Sequence, residues 1–170
     1  KYEEAVHILE VAVAAQPAGE AALELGLLQQ QYFGKREQAA QHLDRVLNRA
    51  GQSQEPDALF RAARAAQALG QVQDANVLFR AAARSDDPAV ETGWGELFLE
   101  TFNPAEALKS FQAVLKRDTQ WAPAHLGVAR TLANENPPGA AAAAEEALKI
   151  FPTYAEAELF LAELDLDNTR

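Results

Sequence analysis

The 170-residue chain contains no cysteine and no methionine. Without cysteine there is no disulfide framework, no Cys-ligated zinc or iron–sulfur cluster and no thiolate nucleophile. Its absence suits the cytoplasm and the periplasm equally, so the compartment stays unassigned. Glycine and proline are sparse, nine and eight residues, which argues against a low-complexity, disordered chain. Positive charge is also short: 15 Lys+Arg face 25 Asp+Glu, a net charge of −10. Such a chain is a poor electrostatic partner for nucleic acid or an anionic membrane. No apolar run approaches the ~20 residues that cross a bilayer, so this segment is not expected to insert in a membrane. What remains is rich in helix formers. There are 37 alanines and 21 leucines, with Glu, Gln and Arg prominent. The length corresponds to one domain or two very small ones.

The alanines are periodic. Ala107, Phe111 and Val114 lie at i, i+4 and i+7, one face of a helix. The same spacing recurs at Ala75, Phe79, Ala82; at Ala39, Leu43, Val46; at Ala5, Leu9, Ala12; and, in alanine alone, at Ala140, Ala144, Ala147. The leading alanines are 34, 36, 32 and 33 residues apart. A second series of small residues moves with them: Gly26, Ala63, Gly95, Ala129 and Ala162. Each of the first four precedes a leading alanine by enough chain for a turn of helix, a loop and a new helix. Small residues at fixed places let two helix axes approach closely. The aromatic or leucine four residues after the leading alanine fills the space beside the crossing.

The punctuation agrees. Pro17, Pro56, Pro88, Pro123 and Pro152 fall near unit boundaries, where proline opens a helix. Gly34, Gly70 and Asn103-Pro104 lie between the two helices of a unit, with Asn103 as N-cap and Pro104 as first helical residue. Asn136-Pro137-Pro138-Gly139 takes the same place in the fourth unit.

These residues resemble the tetratricopeptide repeat, a 34-residue helix–turn–helix unit. Trp94-Gly95, Phe98, Ala107, Phe111 and Val114 carry the likeness best, followed by Ala62-Ala63, Gly70, Ala75, Phe79, Ala82 and by Leu25-Gly26, Ala39, Leu43, Val46. The resemblance implies an all-α fold, a right-handed superhelix of about ten antiparallel helices. Residues 1–17 are expected to form the second helix of a truncated repeat. Full repeats are expected over 18–52, 56–87, 88–120 and 121–153, and a lone first helix over 154–170. The chain begins at Lys1 and runs from mid-repeat to mid-repeat, so a segment of a longer solenoid is expected. The departures are a longer polar loop at 48–56, an extra residue near Tyr32-Phe33, and Thr119 where a closing-turn proline would stand. The fourth unit has a shortened loop, and its alanine-only second helix predicts thinner packing. The pentatricopeptide repeat, of similar length, reads RNA and needs a basic groove, which the charge opposes.

The resemblance places first helices on a concave, partner-binding face. Four offsets from each small residue locate it: three before, and one, four and five after. They give Leu23, Leu27, Gln30 and Gln31 in the first unit, and Phe60, Arg64, Gln67 and Ala68 in the second. The third contributes Thr92, Glu96, Leu99 and Glu100, and the fourth Leu126, Arg130, Ala133 and Asn134. The last helix adds Leu159, Glu163, Leu166 and Asp167. For Leu23, Phe60 and Leu126 the competing assignment is inter-repeat core. For Arg64 and Arg130 it is an ion pair with a neighbouring carboxylate. The mixture suits an extended or helical peptide better than a metabolite. Co-chaperone members of the family hold a C-terminal carboxylate with a Lys/Asn clamp. Leu23, Leu27 and Arg61 stand at the corresponding places, so that partner class is not expected.

Residues 86–170 carry 6 basic and 15 acidic groups, a net −9, against −1 for residues 1–85. A basic partner segment is one expectation, and a solvated acidic surface is the other. Catalytic patterns are missing. His7, His42 and His125 lie in different units without metal-ligand spacing. Ser53, Ser85 and Ser110 have no adjacent histidine, and Glu3-Glu4, Asp86-Asp87 and Glu145-Glu146 are sequence neighbours turned ~100° apart on a helix. No catalytic, metal or cofactor residue is assigned. The expected function is a non-catalytic scaffold for an unidentified protein or peptide. The alternative is the accessory repeat region of a larger enzyme, such as a protease or glycosyltransferase, or of a secretion or assembly complex. Apolar end faces including Leu9 and Leu161 would allow an end-to-end homodimer.

Overall fold

The structure is a computed structural model and describes residues 2–168. The described chain is all-α, with ten helices and a one-turn 3₁₀ segment at Ala83–Ser85. It divides into two compact units, Lys1–Ser85 and Asp86–Arg170. The first unit contains α1 (Tyr2–Ala15), α2 (Glu20–Tyr32), α3 (Arg36–Ala50), α4 (Pro56–Ala68) and α5 (Val72–Ala82). The second contains α6 (Pro88–Glu100), α7 (Pro104–Arg117), α8 (Ala122–Leu132), α9 (Pro137–Ile150) and α10 (Ala155–Asn168). Within each unit every helix packs on the next in sequence, and first helices of successive repeats also touch, α2 on α4 and α6 on α8. This is the helical-repeat architecture that the periodicity predicts.

The periodic residues form the core. Ala39, Leu43 and Val46, then Ala75, Phe79 and Ala82, are buried, as are Ala107, Phe111, Val114, Ala140, Ala144 and Ala147. The small residues of the first helices act as sockets. A Cβ added at Gly26 would lie 2.8 Å from Leu43 Cγ, and one at Gly95 would lie 2.6 Å from Phe111 Cε1. Those are the i+4 side chains of the second helices. Gly127, which the small-residue series does not contain, closes the other side of the Phe111 ring: its added Cβ would meet Cε1 at 2.4 Å.

Five expectations need correction. In α1 the inward residues are Val6, Leu9 and Val13, and Ala12 is exposed; turning the helix by one residue buries valines in place of alanines. In α10, Ala157 and Leu164 are buried and Ala162 is exposed. The face carrying Ala162 is the one that elsewhere meets the second helix of the same repeat. Leu9 and Leu161 pack into the clusters beside α1 and α10, and the apolar residues left open there are Ile8, Val11, Leu159 and Leu166. The polar loop before α4 is shorter than 48–56, because α3 continues to Ala50. The alanine-only helix α9 is not loosely held. Ala144 and Ala147 are fully buried and pack in one cluster with Ala122, Leu126 and Ala129 of α8.

The turns follow their sequences. Asn103 and Asn136 accept from the N–H groups of Glu106 and Gly139, and Pro104 and Pro137 open the helices behind them. Gly70 and Phe102 have left-handed backbones, φ +73° and +57°, in tight turns closed by Gln71 N–H to Ala66 O and Asn103 N–H to Phe98 O. The α2–α3 turn, with Gly34 at φ +60°, is closed by Lys35 N–H to Gln29 O and holds one more residue, the insertion read near Tyr32-Phe33.

Candidate functional site

Four of the residues expected on the first-helix face of the second unit meet in one cavity. Leu99 and Glu100 come from the last turn of α6, and Arg130 and Asn134 from the end of α8 and the residues after it. The cavity holds about 600 Å³ and is completed by Phe102, Pro104, Thr131 and Glu135. That volume is in the range of ligand pockets. Leu99, Phe102 and Pro104 give it an apolar side, and Glu100 and Glu135 place two carboxylates on it. Its arginine is engaged: Arg130 Nη1 lies 3.8 Å from Glu96 Oε1. Thr131 Oγ1 donates to Gly127 O within its own helix.

Phe102 is the residue that sequence reasoning missed. It precedes the N-cap Asn103, as Gly34 and Gly70 precede the N-caps Lys35 and Gln71. The turn needs a left-handed residue there, and a side chain in that region costs about 1–2 kcal/mol. The ring is 94% exposed, so burial does not offset the cost. The signal was present in the sequence as an aromatic standing where both repeats of the first unit have glycine.

Two other residues expected on this face are internal. Leu126 is buried among alanines of α8, α9 and α10. Thr92 is buried, donates to Pro88 O at 2.7 Å and accepts from Trp121 Nε1 at 3.0 Å. It ties α6 to the residue that precedes α8 and offers nothing to a partner. Glu96 is half-buried in its ion pair, and Ala133 is half-buried beside the cavity.

In the first unit Leu23 is fully buried and Leu27 packs on the core, so neither is a groove anchor. Gln30 and Gln31 are exposed, and Gln30 Nε2 donates to Ala68 O at the end of α4. Phe60 is half-buried, its ring 6.1 Å from that of Phe79. Arg64 Nη1 lies 3.3 Å from Glu24 Oε1, and Arg61 Nε lies 4.0 Å from Glu20 Oε2. Both arginines thus join α4 to α2. Gln67 and Ala68 are half-buried on the same face. Within the last helix Leu159, Glu163 and Leu166 are exposed; the side chain of Asp167 lies outside the described residues.

Among the described residues no three His, Asp or Glu side chains gather in a way that could hold a metal ion, and no helix is long and apolar enough to cross a membrane. Burial pushes the His42 imidazole below its ordinary pKa; Arg45 adds to the shift and Glu10 opposes it. Burial pushes the Tyr154 phenol above its ordinary value.

Stacked helix pairs with sockets and glycine turns define a helical-repeat fold, with a surface cavity between first helices of the second unit. The chain is similar to the tetratricopeptide repeat family, whose model matches residues 20–53 and 57–86. No curated protein matches it in sequence. Solved structures share its fold. A thermophilic tetratricopeptide-repeat protein of Thermus thermophilus superposes with a TM-score of 0.73 at 17% identity, over 97% of this chain and 91% of that one. A tetratricopeptide repeat protein of Parabacteroides merdae gives 0.61 at 19%, over 96% and 65%. YrrB, a tetratricopeptide-repeat protein with an unusual peptide-binding site, gives 0.53 at 16%, over 95% and 84%. At these identities the likeness concerns the fold alone. Tetratricopeptide-repeat proteins are typically non-catalytic scaffolds for protein–protein interaction.

Proposed function

We propose that the chain is a non-catalytic scaffold that receives a peptide segment of a partner protein on the first-helix face, with the α6–α8 cavity as its principal contact. The carrying observation is the convergence of Leu99, Glu100, Arg130 and Asn134, from two successive first helices and the residues after the second, on one cavity of about 600 Å³. The cavity walls are helix ends and a short turn, so little ordering entropy is lost on binding. A peptide-binding site also occurs in YrrB, which has the same fold.

A random peptide library displayed on phage and selected on the folded chain tests this. Selected peptides should lose binding on Asn134→Arg and keep it on Gln112→Arg, an exposed position of the second helix α7. The opposite pattern would move the site to the second-helix face. A selection that enriches nothing would count against peptide binding altogether.

A further inference from the structure

We infer that the α6–α8 cavity is a docking site for a basic peptide segment with one large apolar anchor. The anchor lies against Phe102, Leu99 and Pro104, and flanking Lys or Arg side chains face Glu100 and Glu135. This rests on the reading of the face as peptide-binding and adds the chemistry of the ligand.

Three independent observations converge on it. The first is Phe102 itself. Its place in the turn is filled by Gly34 and Gly70 in the first unit, where a side chain is not needed to complete the turn. Phe102 accepts a left-handed backbone, and its ring stands in solvent. The isolated chain gains neither turn geometry nor burial from it. An unfavourable backbone conformation combined with an open aromatic ring on a cavity wall is the pattern of a surface used when occupied.

The second is the composition of the cavity. Leu99, Phe102 and Pro104 line it together, and the adjoining polar groups are Glu100, Arg130, Thr131, Asn134 and Glu135. An apolar side chain of the ligand would find apolar partners there. Aromatic anchors in such places carry a large share of interface energy.

The third is charge. Arg130, the cation among the described lining residues, faces Glu96. Glu100 and Glu135 leave the cavity with an excess of carboxylate, and the unit around it holds 15 acidic and 6 basic residues. A negative field of this kind steers a cationic segment towards the site and discourages an acidic one. Lys or Arg beside the anchor meets both requirements, and the guanidinium also stacks on an aromatic ring such as Phe102.

Fluorescence anisotropy with three labelled peptides tests the inference: Lys-Arg-Trp-Arg-Lys, the same sequence with Ala for Trp, and Glu-Asp-Trp-Asp-Glu. The first should bind. The second should bind at least about tenfold more weakly, and the third more weakly still. Phe102→Gly, which installs the residue found in the two corresponding turns of the first unit, should weaken the first peptide by about tenfold or more without lowering the melting temperature. Glu100→Gln with Glu135→Gln should weaken it and flatten its dependence on salt. Equal binding of the basic and acidic peptides, or unchanged binding on Phe102→Gly, overturns the inference. The two readings fail differently. If library-selected peptides depend on Asn134 while the basic anchor peptide does not bind, the ligand chemistry is wrong and the face is right. If the basic peptide binds but ignores Asn134→Arg, the placement on this face is wrong, and this inference falls with it.

Discussion

Replacing Phe102 by glycine should make the second unit more stable, although it deletes a whole aromatic side chain. Three terms decide the sign. Removing Cβ from a residue at φ +57° relieves about 1–2 kcal/mol of left-handed strain. Glycine widens the unfolded ensemble and takes back about 0.4–1 kcal/mol. The ring is 94% exposed, so a side chain of ~200 Å² contributes only ~12 Å² of burial, worth about 0.3 kcal/mol. The balance is a gain of about 0.5 kcal/mol, or a rise in Tm of about 2–4 °C for a unit of this size. Urea unfolding followed by circular dichroism reads it as a higher midpoint with an unchanged slope. Gly34→Ala and Gly70→Ala are the reciprocal experiment. An added Cβ meets nothing within 4 Å at either position, so only the backbone responds, and both should lose about 0.5–1 kcal/mol. A Phe102→Gly protein less stable than wild type would refute the reasoning, because the ring would then be contributing packing that its exposure denies.

The other expected outcomes concern the interior and pH. Gly127→Ala should cost about 1–3 kcal/mol, since its Cβ would overlap the buried Phe111 ring, and thermal unfolding checks it. Thr92→Val keeps the shape but removes the acceptor of Trp121 Nε1, and should cost about 1–3 kcal/mol with a change in indole fluorescence. For His42 the folded pKa lies below the unfolded value near 6.5, so the unfolded chain binds the proton more readily. Its contribution to stability is complete above that pH and declines as the pH falls from there towards the folded pKa. Wild type should therefore lose more stability than His42→Gln between pH 7.5 and pH 6.0, values that bracket the unfolded pKa of about 6.5; equal losses would show that His42 is not the titrating group.

The fold was legible because tetratricopeptide packing repeats. Gly26 with Leu43, and Gly95 with Phe111, are pairs of positions that the 34-residue period brings out without any coordinate. Where the period alone was used, it erred by one residue or by one face. In α1 the alanine spacing pointed to Ala12, but apolar area is what drives burial, and Val13 has more of it. Of the offsets for the binding face, the one three before the small residue points inward at Leu23, Thr92 and Leu126, whereas Leu99, four after Gly95, borders the cavity. Glu135, Thr131 and Pro104 reach the cavity from a loop, the last turn of α8 and the start of α7, positions that the four offsets do not sample.

The ion pairs on the first-helix faces follow one design in both units, and it decides what each face offers a partner. Arg64 pairs with Glu24 across α4 and α2, and Arg130 with Glu96 across α8 and α6. All four side chains are substantially exposed, so each pair stabilises by at most about 1 kcal/mol. Their larger effect is on charge. Each pair removes an arginine from the set of groups available to an incoming anion. On the first unit's face Arg61 is paired with Glu20 in the same way, and Gln30, Gln31 and Gln67 carry no charge, so that surface is close to neutral. Around Arg130 the neighbours are Glu100 and Glu135, so the remaining surface is acidic. Discrimination by charge therefore belongs to the second unit. A partner bound through the amides of the first would be selected by hydrogen bonding and shape, and its affinity would be indifferent to salt.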